Sequence, residues 1–192
     1  MNRAVFLDRD GTLIRDKGFI CHFKDVEIFP FSIQSLKMMN EYGFRVIVIT
    51  NQSAIARGIC TEDQVMNIHR KMTGFFKRSG AAIDAFYYSP YLEDAPVPEF
   101  RKRDESRKPA PGMILQAAED FGVNLSESFV IGDSSRDILA GKKAGCKTIL
   151  VLTGNGPLAR VELENLKVKP DLISENLLDA AEKITRDRVF VP

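Results

Sequence analysis

The chain has 192 residues, 44% of them hydrophobic and 28% charged, a balance that builds a packed core and excludes an intrinsically disordered segment of any size. Its 27 Lys plus Arg stand against 26 Asp plus Glu, and a net charge of +1 does not set up the field that draws polyanions, so nucleic acid is not the expected partner. No apolar run approaches the roughly 18 residues of a bilayer span, and the N-terminus lacks the h-region of a signal peptide, which predicts a cytoplasmic protein without a membrane partner. Cys21, Cys60 and Cys146 are widely spaced and odd in number, a pattern that predicts reduced thiols rather than a disulfide or a thiolate metal site. The length predicts one domain over residues 1–192.

Ala4-Val5-Phe6-Leu7 reads as a buried parallel strand stopped by Asp8-Arg9-Asp10-Gly11. Ser32 is a candidate cap for a helix carrying Ile33, Leu36 and Met39, ended by Gly43, and residues 45–50 form a second buried strand. Thr61 with Gln64 is a capping box, followed by the apolar face Val65, Ile68, Met72 and Phe76. His69, beside Ile68, is expected at the surface or its boundary, and the neighbours Cys21 and His22 are expected in a flap rather than a metal site.

A third strand over 84–89 leads into a Pro-rich, charged loop at 90–111. Pro111 opens a helix that ends at Gly122. A strand over 128–132, a helix over 135–144 and a strand over 148–152 follow. A weaker helix and strand occupy 158–173, and a last helix spans about 176–186. Strands alternating with amphipathic helices predict an α/β fold, a Rossmann-like, doubly wound, mostly parallel sheet with helices on both faces. Such sheets bind ligands beyond the carboxyl ends of their strands.

Asp8 and Asp10 lie two apart at the first strand end, so strand periodicity lets their side chains face the same way. Paired carboxylates stay ionised together only where a cation compensates them, and hard oxygen donors suit magnesium. A second acidic cluster, Gly132-Asp133-Ser134-Ser135-Arg136-Asp137, ends another strand: Asp133 can complete the metal site, and Asp137 can orient it or a basic partner. Thr50, Asn51, Gln52 and Ser53 offer hydroxyl and amide donors after the second strand, and Lys108 offers a cation. Phosphoryl transfer needs such donors and positive charge around the phosphate oxygens.

In this order, Asp8-Arg9-Asp10-Gly11-Thr12-Leu13, Thr50-Asn51-Gln52-Ser53, Lys108 and Gly132-Asp133 to Asp137 resemble the four signature motifs of haloacid dehalogenase (HAD) phosphatases over nearly the whole chain. The resemblance implies that Asp8 attacks phosphorus to form an aspartyl phosphate and that Asp10 is the general acid and base. It further implies that Thr50 and Lys108 hold the transferring phosphoryl group. Magnesium would bind the side chains of Asp8 and Asp133 and the backbone carbonyl of Asp10.

Thr50 to Gly58 and Arg107-Lys108-Pro109-Ala110-Pro111-Gly112-Met113 look more closely like the D-glycero-D-manno-heptose-1,7-bisphosphate and histidinol-phosphate phosphatases. By that likeness Asn51, Arg57 and Arg107 join Thr50, Gln52, Ser53 and Lys108 in binding substrate. Members of the group often hold a structural zinc in the loop before the lysine, but here Ser89-Pro90-Tyr91 and Asp104-Glu105-Ser106 replace all four ligands, so zinc is not expected. The segment 13–31 is a short flap, too short for a large cap domain. Gly154-Asn155-Gly156-Pro157 reads as a phosphate-binding turn or as a plain turn, and is a candidate wall of the site.

The leading expectation is a magnesium-dependent phosphatase acting on a small phosphorylated metabolite, a heptose 1,7-bisphosphate, as a monomer. Histidinol phosphate is the alternative substrate. A polynucleotide 3′-phosphatase would need a basic groove. A non-catalytic phosphate-binding domain is the remaining alternative, opposed by Asp8, Asp10, Lys108 and Asp133 standing together.

Overall fold

In the computed structural model, which describes residues 2–185, six strands pair in parallel in the order β3-β2-β1-β4-β5-β6. They are β1 (Ala4–Leu7), β2 (Arg45–Asn51), β3 (Ala85–Ser89), β4 (Phe129–Gly132), β5 (Lys147–Val151) and β6 (Leu172–Ser174). Six α-helices connect and cover them: α1 (Ser32–Glu41), α2 (Glu62–Arg78), α3 (Gly112–Phe121), α4 (Ser135–Ala144), α5 (Gly156–Asn165) and α6 (Leu177–Thr185). Residue 186, the expected end of the last helix, lies outside the described residues.

Alternating side chains explain why both faces of the sheet are covered. Val5 and Leu7 of β1, with Val46 and Val48 of β2, pack against Leu36 and Met39 of α1, Met72 and Phe76 of α2 and Leu177 of α6. Ala4 and Phe6, with Ile47 and Ile49, pack on the opposite face against Met113, Ile114 and Ala117 of α3 and Ala140 of α4. Each large aliphatic side chain so buried contributes about 1.5–3 kcal/mol, so a charge at Val48 or Ile49 would undo a layer. Because both neighbours of β1 are parallel and the winding reverses there, a crevice opens beyond its carboxyl end.

The capping box of α2 forms as expected, Gln64 N–H donating to Thr61 Oγ1 at 3.2 Å and Thr61 N–H to Gln64 Oε1 at 2.8 Å. Ser32 does not cap α1. It is the first residue of that helix, is buried, and donates its hydroxyl to the Leu13 carbonyl at 2.7 Å, which anchors the flap to the helix. A second capping box, unanticipated, joins Ser134 and Asp137 at the start of α4.

Two further expectations are overturned. Cys21 and Cys60 form a disulfide, with Cα atoms 5.4 Å apart, while Cys146 is free and buried. Their sequence separation of 39 hid the pairing, because only the folding of the flap across the segment after β2 brings them together. His69 is 6% exposed rather than at the surface, its ring stacked on Phe86 with centroids 4.4 Å apart. No helix among the described residues is long and apolar enough to cross a membrane.

Candidate active site

The chain leaves the sheet after Leu7, and Gly11, at φ 82°, turns it back so that Ile14 bridges both Asp10 and Ile28. A residue with a Cβ would be strained at that φ, and its Cβ would also strike the Asp133 carboxylate. Past Leu7 strand periodicity no longer holds, so Asp8 and Asp10 take different partners while lining one cavity of about 230 Å³. Thr50, Asn51, Gln52, Ser53, Arg107, Lys108, Asp133 and Asp137 line the same cavity. Arg57 does not; its guanidinium lies 6.0 Å from the ring of Phe19, a flap residue that does line it.

Lys108 is 4% exposed, and its ammonium has three partners: Asp8 Oδ1 at 2.8 Å, Asp137 Oδ1 at 2.6 Å and the Ile49 carbonyl at 2.8 Å. Burial alone would lower its pKa, but Asp137 and Asp8 outweigh that and hold it above the ordinary lysine value, so the group is an ammonium. Asn51 fixes the lysine's backbone: its amide donates to the Lys108 carbonyl and accepts from the Lys108 N–H, both at 3.0 Å. Asp137 therefore orients a basic partner, and its second oxygen caps α4 through the Ser134 N–H at 3.0 Å.

Asp10 is held by Arg9, whose Nη2 donates to Oδ1 at 3.0 Å, and by Gln52 Nε2, which donates to Oδ2 at 3.0 Å. Gln52 also bonds Thr50 Oγ1 at 2.8 Å. Arg9 is 1% exposed and reaches Gln52 Oε1 at 3.0 Å and His69 Nε2 at 3.2 Å. Burial first, then the Arg9 charge, pushes His69 down to about 3, so its ring is neutral and can accept from the guanidinium. Burial raises Asp10 above the usual carboxylate range against the pull of Arg9, with the Asp8 charge adding to the rise.

Neither Arg9 nor His69 is singled out by the sequence motifs. The only signal was an arginine at the end of a buried strand, where an unpaired guanidinium would be costly and must therefore find several acceptors. Asn155, in the turn already expected at the site wall, donates its N–H to Asp133 Oδ2 at 2.7 Å and lines the cavity.

The donors fit a hard divalent cation. Oxygens of Asp8, Asp133 and Asp137 lie within 4.8 Å of one another; Asp137 has both oxygens engaged, by Lys108 and by the Ser134 N–H, whereas Asp8 gives Lys108 only Oδ1, which leaves Asp8 and Asp133 as carboxylate ligands. Burial and then the charges of Asp8 and Asp137 hold Asp133 well above the usual range, the signature of crowded carboxylates that a cation would relieve. The cradle is tight: a Cβ at Gly154 would also collide with the Asp133 carboxylate.

The positions of the missing zinc ligands come together without a metal set. Ser106 Oγ donates to Asp104 Oδ1 at 2.6 Å and lies 3.0 Å from Ser89 Oγ. Lys102 pairs with Asp104 at 2.8 Å and sits 3.9 Å from the Tyr91 ring centroid, and Arg107 Nη1 donates to the Tyr91 carbonyl at 2.9 Å.

Residues 105–180 match the family model described as HAD-hydrolase-like. A D-glycero-beta-D-manno-heptose-1,7-bisphosphate 7-phosphatase of Pasteurella multocida is 35% identical over 185 residues, 96% of this chain and 97% of that protein. The D-glycero-alpha-D-manno-heptose-1,7-bisphosphate 7-phosphatase of Burkholderia mallei is 36% identical over 79% of this chain and 80% of that protein. Among solved structures, the D,D-heptose 1,7-bisphosphate phosphatase of B. bronchiseptica complexed with magnesium and phosphate superposes with a TM-score of 0.83 at 31% identity, covering 96% of this chain and 98% of that one. With a phosphoryl-transfer geometry at the β1 and β4 ends and relatives alike over nearly their full length, the chain belongs to the HAD-like phosphatases, in the heptose-1,7-bisphosphate 7-phosphatase family.

Proposed function

We propose that the protein removes the 7-phosphate of D-glycero-D-manno-heptose 1,7-bisphosphate through an aspartyl phosphate on Asp8. The observation that carries this reading is the pairing of Asp8 with the buried Lys108 on one side of a cavity whose other side holds Asp10 on Arg9 and Gln52. One carboxylate is thus placed beside an ammonium, and the other, raised by its burial, is kept where it can carry a proton.

In this reading Asp8 Oδ attacks phosphorus, the ester bond breaks, and Asp10 gives its proton to the leaving sugar oxygen. Asp10 then takes a proton from the water that attacks the aspartyl phosphate, and inorganic phosphate leaves with Asp8 regenerated. Lys108 and the Thr50 hydroxyl neutralise and position the phosphoryl oxygens, Thr50 being set by Gln52. Asn51 holds the Lys108 backbone in register for that task. Asp8, Asp133 and the Asp10 carbonyl would hold magnesium, which would supply electrostatic neutralisation of the carboxylates and the phosphoryl group. Ser53 and Arg107 line the path of the substrate's remainder, and Arg57 supports the flap through Phe19.

The test is phosphate release from both anomers of the heptose bisphosphate and from histidinol phosphate, with wild type and Asp8→Asn under saturating magnesium. The expected result is preference for one heptose anomer and loss of turnover in the variant, because an amide is neither nucleophile nor good ligand. Residual activity above about a hundredth of wild type would refute the nucleophile, since an obligatory covalent step is worth far more. Preference for histidinol phosphate would replace the substrate.

A further inference from the structure

Asp10 lines the cavity, but neither Arg9, which grips it, nor His69, which touches Arg9, does so. Arg9 holds the Asp10 carboxylate as a fork, Nε donating to Oδ2 at 3.1 Å and Nη2 to Oδ1 at 3.0 Å. That leaves Nη1, which is sealed from bulk water because Arg9 is 1% exposed. Among the described residues the one hydrogen-bond partner of Nη1 is His69 Nε2, at 3.2 Å.

The His69 ring is itself fixed between two elements. It belongs to α2, and β3 clamps it: Phe86 stacks on it at 13° from parallel, and Tyr88 meets it edge-on with centroids 5.7 Å apart. The ring is neutral, so with Nε2 as the acceptor its proton sits on Nδ1 and the Nε2 lone pair faces the guanidinium. A planar guanidinium held at Nη1 cannot turn about its terminal torsions without breaking that bond, and the fork on Asp10 keeps its aim. Deleting the acceptor strands a buried donor, and the guanidinium must then shift toward another partner and carry the Asp10 carboxyl with it.

We propose that His69 is a positioning residue for the reaction: through Arg9 Nη1 it fixes the orientation in which the Asp10 carboxyl meets the leaving oxygen. This rests on the reading of Asp10 as the general acid given above, and not on which sugar is bound. A general acid works only within hydrogen-bond reach of the atom it protonates, so a small rotation of Asp10 weakens proton transfer while the attack of Asp8 on phosphorus keeps its geometry.

The experiment compares kcat/KM on a primary-alkyl phosphate, whose alkoxide needs the proton, with kcat/KM on an aryl phosphate, whose phenolate leaves with little help. It is run in saturating magnesium on wild type, His69→Phe, His69→Gln and Asp10→Asn. Because kcat/KM covers steps only through formation of the aspartyl phosphate, it reads Asp10 as an acid apart from its later role as a base. His69→Phe keeps a stacked ring and deletes the acceptor. Its alkyl-to-aryl ratio is expected to fall roughly ten- to thirtyfold, a part of the about hundred- to ten-thousandfold that a whole general acid supplies. His69→Gln, which restores an acceptor oxygen, should recover most of that loss. Should the ring variant not fold, His69→Leu carries the same expectation. A ratio within about threefold of wild type overturns the proposal, as does an equal loss on both esters, which is what a merely structural role of the ring gives. A His69→Gln variant no better than His69→Phe overturns it too. The two readings fail differently. If Asp10→Asn leaves the ratio unchanged, the general acid falls and the positioning role with it, whereas a ratio that collapses in Asp10→Asn and holds in His69→Phe removes the positioning role alone.

Discussion

Lys108 offers the sharpest perturbation, because among the described residues its ammonium is the one side-chain cation paired with Asp8 and Asp137. Lys108→Met keeps the volume of the stem and removes the charge, leaving Asp8 and Asp137 buried side by side. Breaking a buried pair by deleting one partner costs about 3–5 kcal/mol. With an unfolding entropy of about 2.1 cal/mol/K per residue, 192 residues give about 0.4 kcal/mol/K, so Tm should fall by roughly 7–12 °C when measured in EDTA. Turnover on any phosphate ester should fall about a hundred- to a thousandfold, the range for losing one preorganised charge at a developing anion. The two effects separate in Lys108→Met/Asp137→Asn, which removes one uncompensated carboxylate: part of the lost Tm should return and none of the activity. A Tm drop below about 3 °C together with turnover within tenfold of wild type would refute the reasoning, since no buried pair could then be at stake.

Magnesium alone should restore full activity after EDTA treatment, because Ser89, Tyr91, Asp104 and Ser106 meet as a hydrogen-bonded and charge-paired cluster; elemental analysis showing tightly held, stoichiometric zinc would contradict this. His69 is held at about 3 in the fold against 6.5 when exposed, so the unfolded chain binds the extra proton and stability falls as pH drops from about 6.5 to about 3. His69→Gln should remove up to about 1.4 kcal/mol per pH unit of that slope in urea titrations, and an unchanged slope would place the acid sensitivity elsewhere. Closing a loop of 39 residues between Cys21 and Cys60 is worth about 4 kcal/mol in the chain-entropy treatment, so Cys21→Ser or reduction should lower Tm by about 10 °C. Rapid alkylation of both thiols in the native protein without reductant would sink that expectation.

What the sequence made legible lies at strand ends. Apolar runs stopped by acids or hydroxyls identified β1, β2 and β4 and the residues that follow each, because a parallel strand must be buried on both faces and its chemistry must sit beyond it. The same reasoning failed where partners come from distant elements. Arg9 could not be read as an anchor of Asp10, since two of its acceptors, on Gln52 and His69, belong to β2's loop and to α2. His69 looked peripheral by helical spacing, yet the edge of α2 is covered by β3 through Phe86. The Cys21–Cys60 bond required knowing that the flap crosses the segment after β2, which no local pattern encodes.

The two walls that these distant contacts build are fixed by different means, and the difference bears on specificity. The flap carrying Phe19 is tied through Cys21–Cys60 to the segment that carries Arg57, a covalent link beside the contact of Arg57 with Phe19. The loop carrying Arg107 is tied instead by Ser106 to Asp104 and Ser89, and by Lys102 to Asp104 and Tyr91, contacts individually weaker than a metal site or a covalent link. Asp8, Asp133 and Thr50 sit at strand ends, and Lys108 is held by three bonds from its ammonium and two to its backbone. Loosening the Ser89–Ser106–Asp104 cluster should therefore blur which substrate is bound long before it disturbs how phosphorus is attacked, because Asn51 keeps Lys108 in place from β2 even when the loop before it shifts.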